Sequence, residues 1–131
     1  MLKETTITST LKSMDEFFAF WLADITLDMP VAMKEKMDTA ILEMLMNAKE
    51  HGNRDQACKA IKISFDIQQD YIDISVEDEG DGFDCRIPDE CPDIQYPRGR
   101  GLWTLKSMEF NPRFNDKGNQ ITITIPQRRT Q

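Results

Sequence analysis

The sequence contains few of the residues on which metal and redox sites depend. It has one histidine and three cysteines, Cys58, Cys85 and Cys91, and no CxxC pair. A tetrahedral zinc site needs four ligands, usually in closely spaced pairs, and scattered thiols beside a single histidine are a poor source of them. We therefore expect reduced, incidental thiols rather than a disulfide framework or a zinc site.

Long apolar runs are also missing. No stretch of about 18 apolar residues is available to span a membrane. The N-terminal segment MLKETTITST lacks the continuous apolar core of a signal peptide. These absences predict a cytoplasmic protein that does not bind a membrane.

Acidic residues outnumber basic ones. The chain carries 16 Lys and Arg against 23 Asp and Glu, a formal net charge of -7. Binding to the phosphate backbone of nucleic acid needs clustered cations, so we expect no nucleic-acid partner. A nucleotide remains compatible with this charge where cations gather at its phosphates. The length of 131 residues suits one domain with a core of its own.

The first helix is predicted from a capping-box pattern at Ser13 to Glu16, followed by apolar residues at helical spacing. The apolar stripe consists of Met14, Phe17, Phe18, Trp21 and Ile25. Phe20 and Leu22 fall off this stripe. For these two we favour a broad buried face over a partner-binding patch.

The second helix should begin near Val31, after the start signals Asp28 and Pro30, and end at Gly52. Its apolar side chains cover about 200° of the circumference, which is typical of a mostly buried helix. The remaining stripe holds Glu43, Asn47, Glu50 and His51. This stripe is either the solvated face of the helix or a functional one.

Glu43 and Asn47 lie at i and i+4, and so on one face of that helix. A carboxylate and an amide oxygen one turn apart are what a hard cation and an activated water or hydroxyl would require. The functional interpretation of the stripe depends on what the rest of the chain places opposite it.

From Ala60 the hydrophobic period changes from 3.6 to 2, which predicts a hairpin of two strands around a turn at Gln69 and Asp70. Its inward-facing residues are Ile61, Ile63, Phe65, Ile67, Ile72, Ile74 and Val76. Extending the alternation places Asp78 on the inward side, where a carboxylate is costly unless it is paired.

Further strands are expected at both ends of the chain. Residues 1–8 suggest an edge strand, and a last hairpin joins residues 112–114 to the strand of Ile121, Ile123 and Ile125. Strands that pair mainly as hairpins, with three helices able to lie on one face, predict an α+β two-layer sandwich with a mixed, mainly antiparallel sheet.

Two glycine segments carry possible binding chemistry. Asp78 is followed by Gly80 and Gly82, and glycine lets a flat ligand approach the backbone where a Cβ would collide. An ionised aspartate accepts hydrogen bonds and suits the exocyclic amine of adenine. The alternative is a plain turn after a strand.

The second segment, Gly99-Arg100-Gly101, comes directly before a predicted helix. Free N–H groups at a helix N-terminus form an anion site, and Arg98 and Arg100 add local positive charge. Phosphate is the natural occupant. The alternative is a loop with a glycine pair and two exposed arginines.

In chain order the sequence offers E-x-x-x-N on a helix, D-x-G-x-G-F-D after a strand and G-x-G before a helix. This combination resembles the N box and the two glycine boxes of the GHKL ATP-binding superfamily, which has the Bergerat fold. The resemblance covers roughly residues 1–126. It looks closest to the stand-alone anti-sigma factor serine kinases of bacterial partner switching, through the phrases LMNAKEHGN, DEGDGFD and RGRGL.

The resemblance implies a role for each motif residue. Asn47 would coordinate Mg²⁺ between the phosphates of ATP, and Glu43 would act as general base. Asp78 would bind the adenine amine, with Gly80 and Gly82 packed beside the base.

The resemblance also implies a phosphate-binding segment with Gly99, Arg100 and Gly101 at its centre, flanked by Arg98 and Leu102. Residues 85–98 would form a lid over ATP, and residues from about 127 onward a frayed tail. His51 is expected to line the cleft or to cap the helix, since it lies where that helix ends.

The reaction implied by the family moves the γ-phosphoryl group of ATP to a serine of an anti-anti-sigma-type, STAS-like protein. A sigma factor is a second candidate partner, and the spare aromatic residues of the first helix permit a homodimer. The alternative is a module that binds ATP and sequesters a partner without phosphorylating it. Glu43 favours the enzyme, because a pure binder needs no base.

Overall fold

A computed structural model describes residues 1–80 and 103–127 of the chain, and these residues form a sheet covered by helices. The strands are β1 (Leu2–Thr8), β2 (Ala60–Ile67), β3 (Tyr71–Glu77), β4 (Arg113–Phe114) and β5 (Gln120–Pro126). The strand order is β1-β2-β3-β5-β4, and each neighbouring pair is antiparallel. The predicted α+β class, the edge strand and both hairpins are confirmed.

Three helical elements accompany the sheet. Helix α1 is continuous through Leu11–Glu16, a π-helical segment Phe17–Leu22 and Ala23–Ile25. Helix α2 runs through Val31–Asn47 and a π-helical segment Ala48–Gly52, which confirms the predicted start and end. Helix α3 covers residues 103–107 within the described part of the chain.

Helix α1 begins earlier than its sequence pattern predicted. Its N-cap is Thr10, whose hydroxyl oxygen accepts a hydrogen bond from the Ser13 N–H at 3.1 Å. The Ser13 hydroxyl oxygen accepts a 3.1 Å bond from the Thr8 N–H instead of capping a helix. The predicted capping box at Ser13 was therefore wrong, because the residue that meets the first free N–H groups lies three positions earlier.

The two residues of α1 outside the expected stripe have opposite surroundings. Leu22 lies four residues after Phe18, so it falls on the core side of the helix and is buried at 1% exposure. Phe20 lies on the opposite side and is 75% exposed. The expected broad buried face therefore includes Leu22 but was wrong for Phe20.

The core lies between one face of the sheet and the helices. Alternate residues of β2, β3 and β5 point into it, as their burial patterns show. Helix α1 packs on the sheet through Trp21, whose ring meets that of Phe65 edge-on at 5.3 Å between centroids. Helix α2 contributes Met37, Ala40, Ile41, Met44, Leu45 and Ala48.

The other face of the sheet is polar, with hydrogen bonds such as that between the hydroxyls of Ser75 and Thr122 at 2.8 Å. This arrangement agrees with the predicted two layers, with the helices on one side. Among the described residues, no helix has both the length and the apolar character needed to cross a bilayer.

Candidate functional site

Asp78 continues the inward alternation of β3 beyond its last residue, as the sequence predicted, and is only 6% exposed. Burial raises the pKa of its carboxyl group above the usual value, because a desolvated carboxylate is disfavoured. The Gly80 N–H donates a 2.7 Å hydrogen bond to Oδ1 of Asp78 and partly offsets this increase. The result is a carboxylate held in a dry environment at the end of a strand.

Nearby charges act on Asp78 in both directions. The negative charge of Glu77 raises the pKa further, while the positive charges of Lys117 and Lys59 lower it. Desolvation is the largest of these influences. A buried carboxylate such as that of Asp78 is expected to form stronger hydrogen bonds than a carboxylate in water.

Gly52 and Gly80 lie directly against this carboxylate. A Cβ at Gly52 would lie 2.0 Å from Oδ2 of Asp78, and a Cβ at Gly80 would lie 2.3 Å from the Gly52 carbonyl oxygen. Neither position has room for a side chain. From the sequence, Gly52 was predicted only to end α2, and its contact with Asp78 was missed because the two residues lie in different elements.

Asn47, the last residue of the regular α-helical part of α2, meets Asp78 at a shared cavity. This cavity has a volume of about 10 Å³. It is lined by Met44, Asn47, Ala48, Val76, Asp78, Phe114, Gly118, Asn119, Gln120 and Ile121. A volume of this size holds about one water molecule. The structure thus brings together two of the predicted site residues from separate motifs.

Two other predicted site residues lie on the same helix but not at this cavity. Glu43 is half-buried one turn before Asn47 and is not among the residues that line the cavity. His51 is half-buried in the π-helical segment, one residue before Gly52. The roles predicted for both remain predictions.

The remaining predicted site residues lie outside the described residues, as does the predicted lid at residues 85–98. They are Gly82, Arg98, Gly99, Arg100, Gly101 and Leu102. Their proposed phosphate contacts therefore rest on the sequence.

Larger cavities occur elsewhere in the described structure. One of about 640 Å³ lies beside Lys3 and Phe20, and one of about 460 Å³ lies beside Met29 and Met33. Neither is lined by Asn47 or Asp78. The chemistry of the small cavity, where the buried Asp78 carboxylate meets two glycines and the Asn47 amide, marks it as the candidate site in spite of its size.

Asn53 is a buried polar residue that the sequence interpretation missed. It follows Gly52, has no exposed surface, and forms side-chain hydrogen bonds with Ser9, Ala60 and Glu79. The only hint in the sequence was an asparagine placed directly after a helix-ending glycine, which is equally common in ordinary turns.

Comparison with known families agrees with this geometry. A family model described as "Histidine kinase-like ATPase domain" matches residues 6–125, a range that includes Asn47, Asp78 and both glycines beside the carboxylate. The chain belongs to this ATPase family. The predicted resemblance is confirmed.

The ATPase domain is also similar to a curated protein, the serine-protein kinase RsbW of Oceanobacillus iheyensis. The two are 36% identical over 100 residues, which is 70% of this chain and 61% of that protein. The match thus spans less than two thirds of the relative's length.

Proposed function

We propose that this ATPase domain is a Mg²⁺-ATP-dependent serine-protein kinase that transfers the γ-phosphoryl group of ATP to a serine of an anti-anti-sigma-type, STAS-like protein. The observation that carries the proposal is that Asn47 and Asp78, from two separate motifs, line one cavity. Membership of the ATPase family and similarity to a serine-protein kinase support it.

Asp78 is proposed to read the adenine base. An ionised carboxylate only accepts hydrogen bonds, so it matches the exocyclic amine of adenine. The glycines fit this role, because Gly52 and Gly80 leave backbone rather than side chain beside the carboxylate. A side chain at either position would collide with the carboxylate or with the backbone beside it, and would displace the group that has to meet the base.

Asn47 is proposed to hold Mg²⁺. In the described ranges, no group of three or more His, Cys, Asp or Glu residues is arranged to bind a metal. Mg²⁺ is usually held by one or two protein oxygens together with substrate phosphates, and the amide oxygen of Asn47 fits that pattern. The ion would supply neutralisation of the phosphate charge during transfer.

Glu43 is proposed to accept the proton of the attacking serine hydroxyl. It lies one helical turn from Asn47, so the base and the metal ligand share one face of α2. The phosphates are proposed to lie on Gly99, Arg100 and Gly101. Residues 1–131 are proposed to form a single ATPase domain.

A second candidate function is a module that binds ATP and sequesters its partner without phosphoryl transfer. One observation favours it: Glu43 does not line the cavity that Asn47 and Asp78 share. The two candidates differ only in whether Glu43 reaches the transferred group. Either function is proposed to operate in the cytoplasm.

Two further partners are proposed. A sigma factor is one of them. A homodimer is another, and the exposed ring of Phe20 on α1 supports it, since Phe20 lines a surface cavity with Lys3 and Glu4 of the edge strand β1. Apolar side chains left in solvent are common at interfaces between copies of a chain.

Two measurements test the proposal. Isothermal calorimetry with ATP and Mg²⁺ should show binding to the purified protein that weakens when EDTA removes the metal. Incubation with γ-labelled ATP, Mg²⁺ and a purified anti-anti-sigma-type protein should label a serine of that protein. Absence of ATP binding would overturn both candidates. Binding without label transfer would overturn the kinase and leave the sequestering module.

A further inference from the structure

The peptide group between Asp78 and Glu79 is held at both ends by asparagine side chains. Its carbonyl oxygen, from Asp78, accepts a 3.1 Å hydrogen bond from Nδ2 of Asn119. Its N–H, from Glu79, donates a 2.8 Å hydrogen bond to Oδ1 of Asn53. Two residues from distant parts of the chain therefore fix the plane of one peptide group.

Fixing this plane sets the direction of the Cα–Cβ bond of Asp78, and a hydrogen bond from Gly80 then sets the rotation of its carboxylate. The Asp78 N–H is itself bound to the Asn119 carbonyl oxygen at 2.9 Å, so the backbone is restrained on both sides of the Cα. Because the Asp78–Glu79 peptide is held, the N–H of the following residue, Gly80, can donate to Oδ1 of Asp78 at 2.7 Å. Rotation of the Asp78–Glu79 peptide would move the Gly80 N–H away from Oδ1 and allow the carboxylate to turn.

Asn53 is well placed to act as one of the two anchors. Its Nδ2 donates to Oγ of Ser9 at 2.6 Å and to the Ala60 carbonyl oxygen at 3.0 Å, at the ends of two strands. Its backbone N–H donates to the Ala48 carbonyl oxygen at 2.7 Å, which connects it to the end of α2. The amide is fully buried, so losing these bonds would be costly.

Asn119 is anchored in a similar way from the turn before β5. Its Oδ1 accepts a 2.8 Å hydrogen bond from Nδ2 of Asn115. Oδ1 of Asn115 in turn accepts from the backbone N–H groups of Gly118 and Asn119, at 2.8 and 3.1 Å. The turn thus holds the Asn119 side chain toward Asp78.

We propose that Asn53 and Asn119 are positioning residues that hold the Asp78 carboxylate in the orientation that distinguishes adenine from other purine bases. This inference rests on the proposed ATP-binding function. A preorganised acceptor discriminates between bases because a misplaced one loses the hydrogen bond that only the correct base can donate. Neither asparagine is required to touch the nucleotide.

The test compares ATP with inosine triphosphate, which has a carbonyl group where adenine has its amine. Calorimetry gives the dissociation constant of each nucleotide, and their ratio measures discrimination. Both constants come from the same preparation, so a reduced folded fraction does not change the ratio. For Asn53→Ala we expect the ratio to fall about tenfold, which corresponds to the loss of one net hydrogen bond.

Ser9→Ala is the matched control. It removes the hydroxyl that accepts from Nδ2 of Asn53 and leaves the bond from Oδ1 of Asn53 to the Glu79 N–H in place. We expect Ser9→Ala to lower stability but to keep the discrimination ratio within about twofold, since the carboxylate keeps its orientation. An equal loss of discrimination in Ser9→Ala and Asn53→Ala would show general loosening and overturn the proposal.

Asn119→Asp is a second variant, for use where Asn53→Ala does not fold. It keeps an oxygen toward Asn115 and loses the donor to the Asp78 carbonyl oxygen, so the ratio should again fall. An unchanged ratio in either asparagine variant would overturn the positioning role while leaving ATP binding intact. Failure of the unmodified protein to bind ATP would instead overturn the proposed function.

Discussion

Gly52 and Asp78 touch so closely that a methyl group at Gly52 would lie 2.0 Å from Oδ2 of the aspartate. This contact joins the C-terminal end of α2 to the end of β3. The strand supplies the carboxylate, and the helix supplies Asn47 one turn earlier. The two halves of the proposed site therefore meet where the backbone of Gly52 lies against the Asp78 side chain, and a substitution at Gly52 tests this contact.

Gly52→Ala should weaken both the fold and the site. The new methyl group must displace the short, buried Asp78 side chain, and overpacking of this kind costs about 1–3 kcal/mol. We expect the free energy of unfolding in urea to fall by that amount and the dissociation constant of Mg²⁺-ATP to rise at least about tenfold. Ala57→Ser, at an exposed position in the following connection, should change neither quantity. Normal stability and affinity in Gly52→Ala would contradict the observed contact.

Asp78→Asn should stabilise the protein at neutral pH and impair ATP binding. Folding raises the pKa of Asp78 above its usual 3.8, so the folded protein holds this proton to higher pH than the unfolded chain does. The cost of burying the charge is therefore absent well below pH 3.8 and grows as the pH rises through the folded-state pKa. The melting temperature of Asp78→Asn should exceed that of the unmodified protein at pH 7, with the difference shrinking toward pH 4.

The same variant should bind ATP about 10- to 100-fold more weakly, which is the value of a hydrogen bond to a charged acceptor. Asp70→Asn, at an exposed position in the β2–β3 turn, is the control and should alter neither stability nor affinity. A melting difference that grows toward acid pH would show that the sign of the pKa shift is wrong. Unchanged ATP affinity would remove Asp78 from the adenine site.

Asn47→Ala should remove the dependence of ATP binding on magnesium. The amide oxygen is the proposed metal ligand. Its loss should lower the affinity for Mg²⁺ at least about tenfold, because even the loss of an outer-shell partner has an effect of that size. Calorimetry in Mg²⁺ and in EDTA should then give similar dissociation constants. Asn47→Asp keeps an oxygen at the same position and should retain the difference. If Asn47→Ala responds to magnesium as the unmodified protein does, the metal lies elsewhere.

Glu43→Ala should separate binding from transfer. The dissociation constant of Mg²⁺-ATP should stay the same, while the rate of label transfer to the partner's serine should fall by about two or more orders of magnitude, the usual contribution of a general base. Glu50→Ala removes an exposed carboxylate from the same helix and should transfer at the normal rate. Normal transfer by Glu43→Ala would assign the base to another residue.

The hydrophobic periods of the sequence predicted the elements that frame the site. Alternation in β3 placed Asp78 inward, and the structure confirms its burial. The i, i+4 spacing placed Asn47 on the polar stripe of α2. Both predictions succeeded because the direction of a side chain along a regular helix or strand follows from its position in the chain.

The same reasoning failed at two places on α1. Phe20 was expected in a broad buried face, but it lies on the side of α1 opposite Phe17 and Leu22 and is exposed. The start of α1 was misplaced because Thr10 and Ser13 are both good capping residues, and the turn after β1 decides which of them meets the free N–H groups.

The sequence by itself determined the α+β class, the order of the strands and helices in the described ranges, and the inward direction of Asp78, because all of these follow from local periodicity. Only the tertiary structure decided that Gly52 lies against that carboxylate and that Asn53 and Asn119 bond the peptide group that follows it. Their contacts join residues that are distant in the chain, and such contacts exist only once α2 and the two hairpins have packed on a common core.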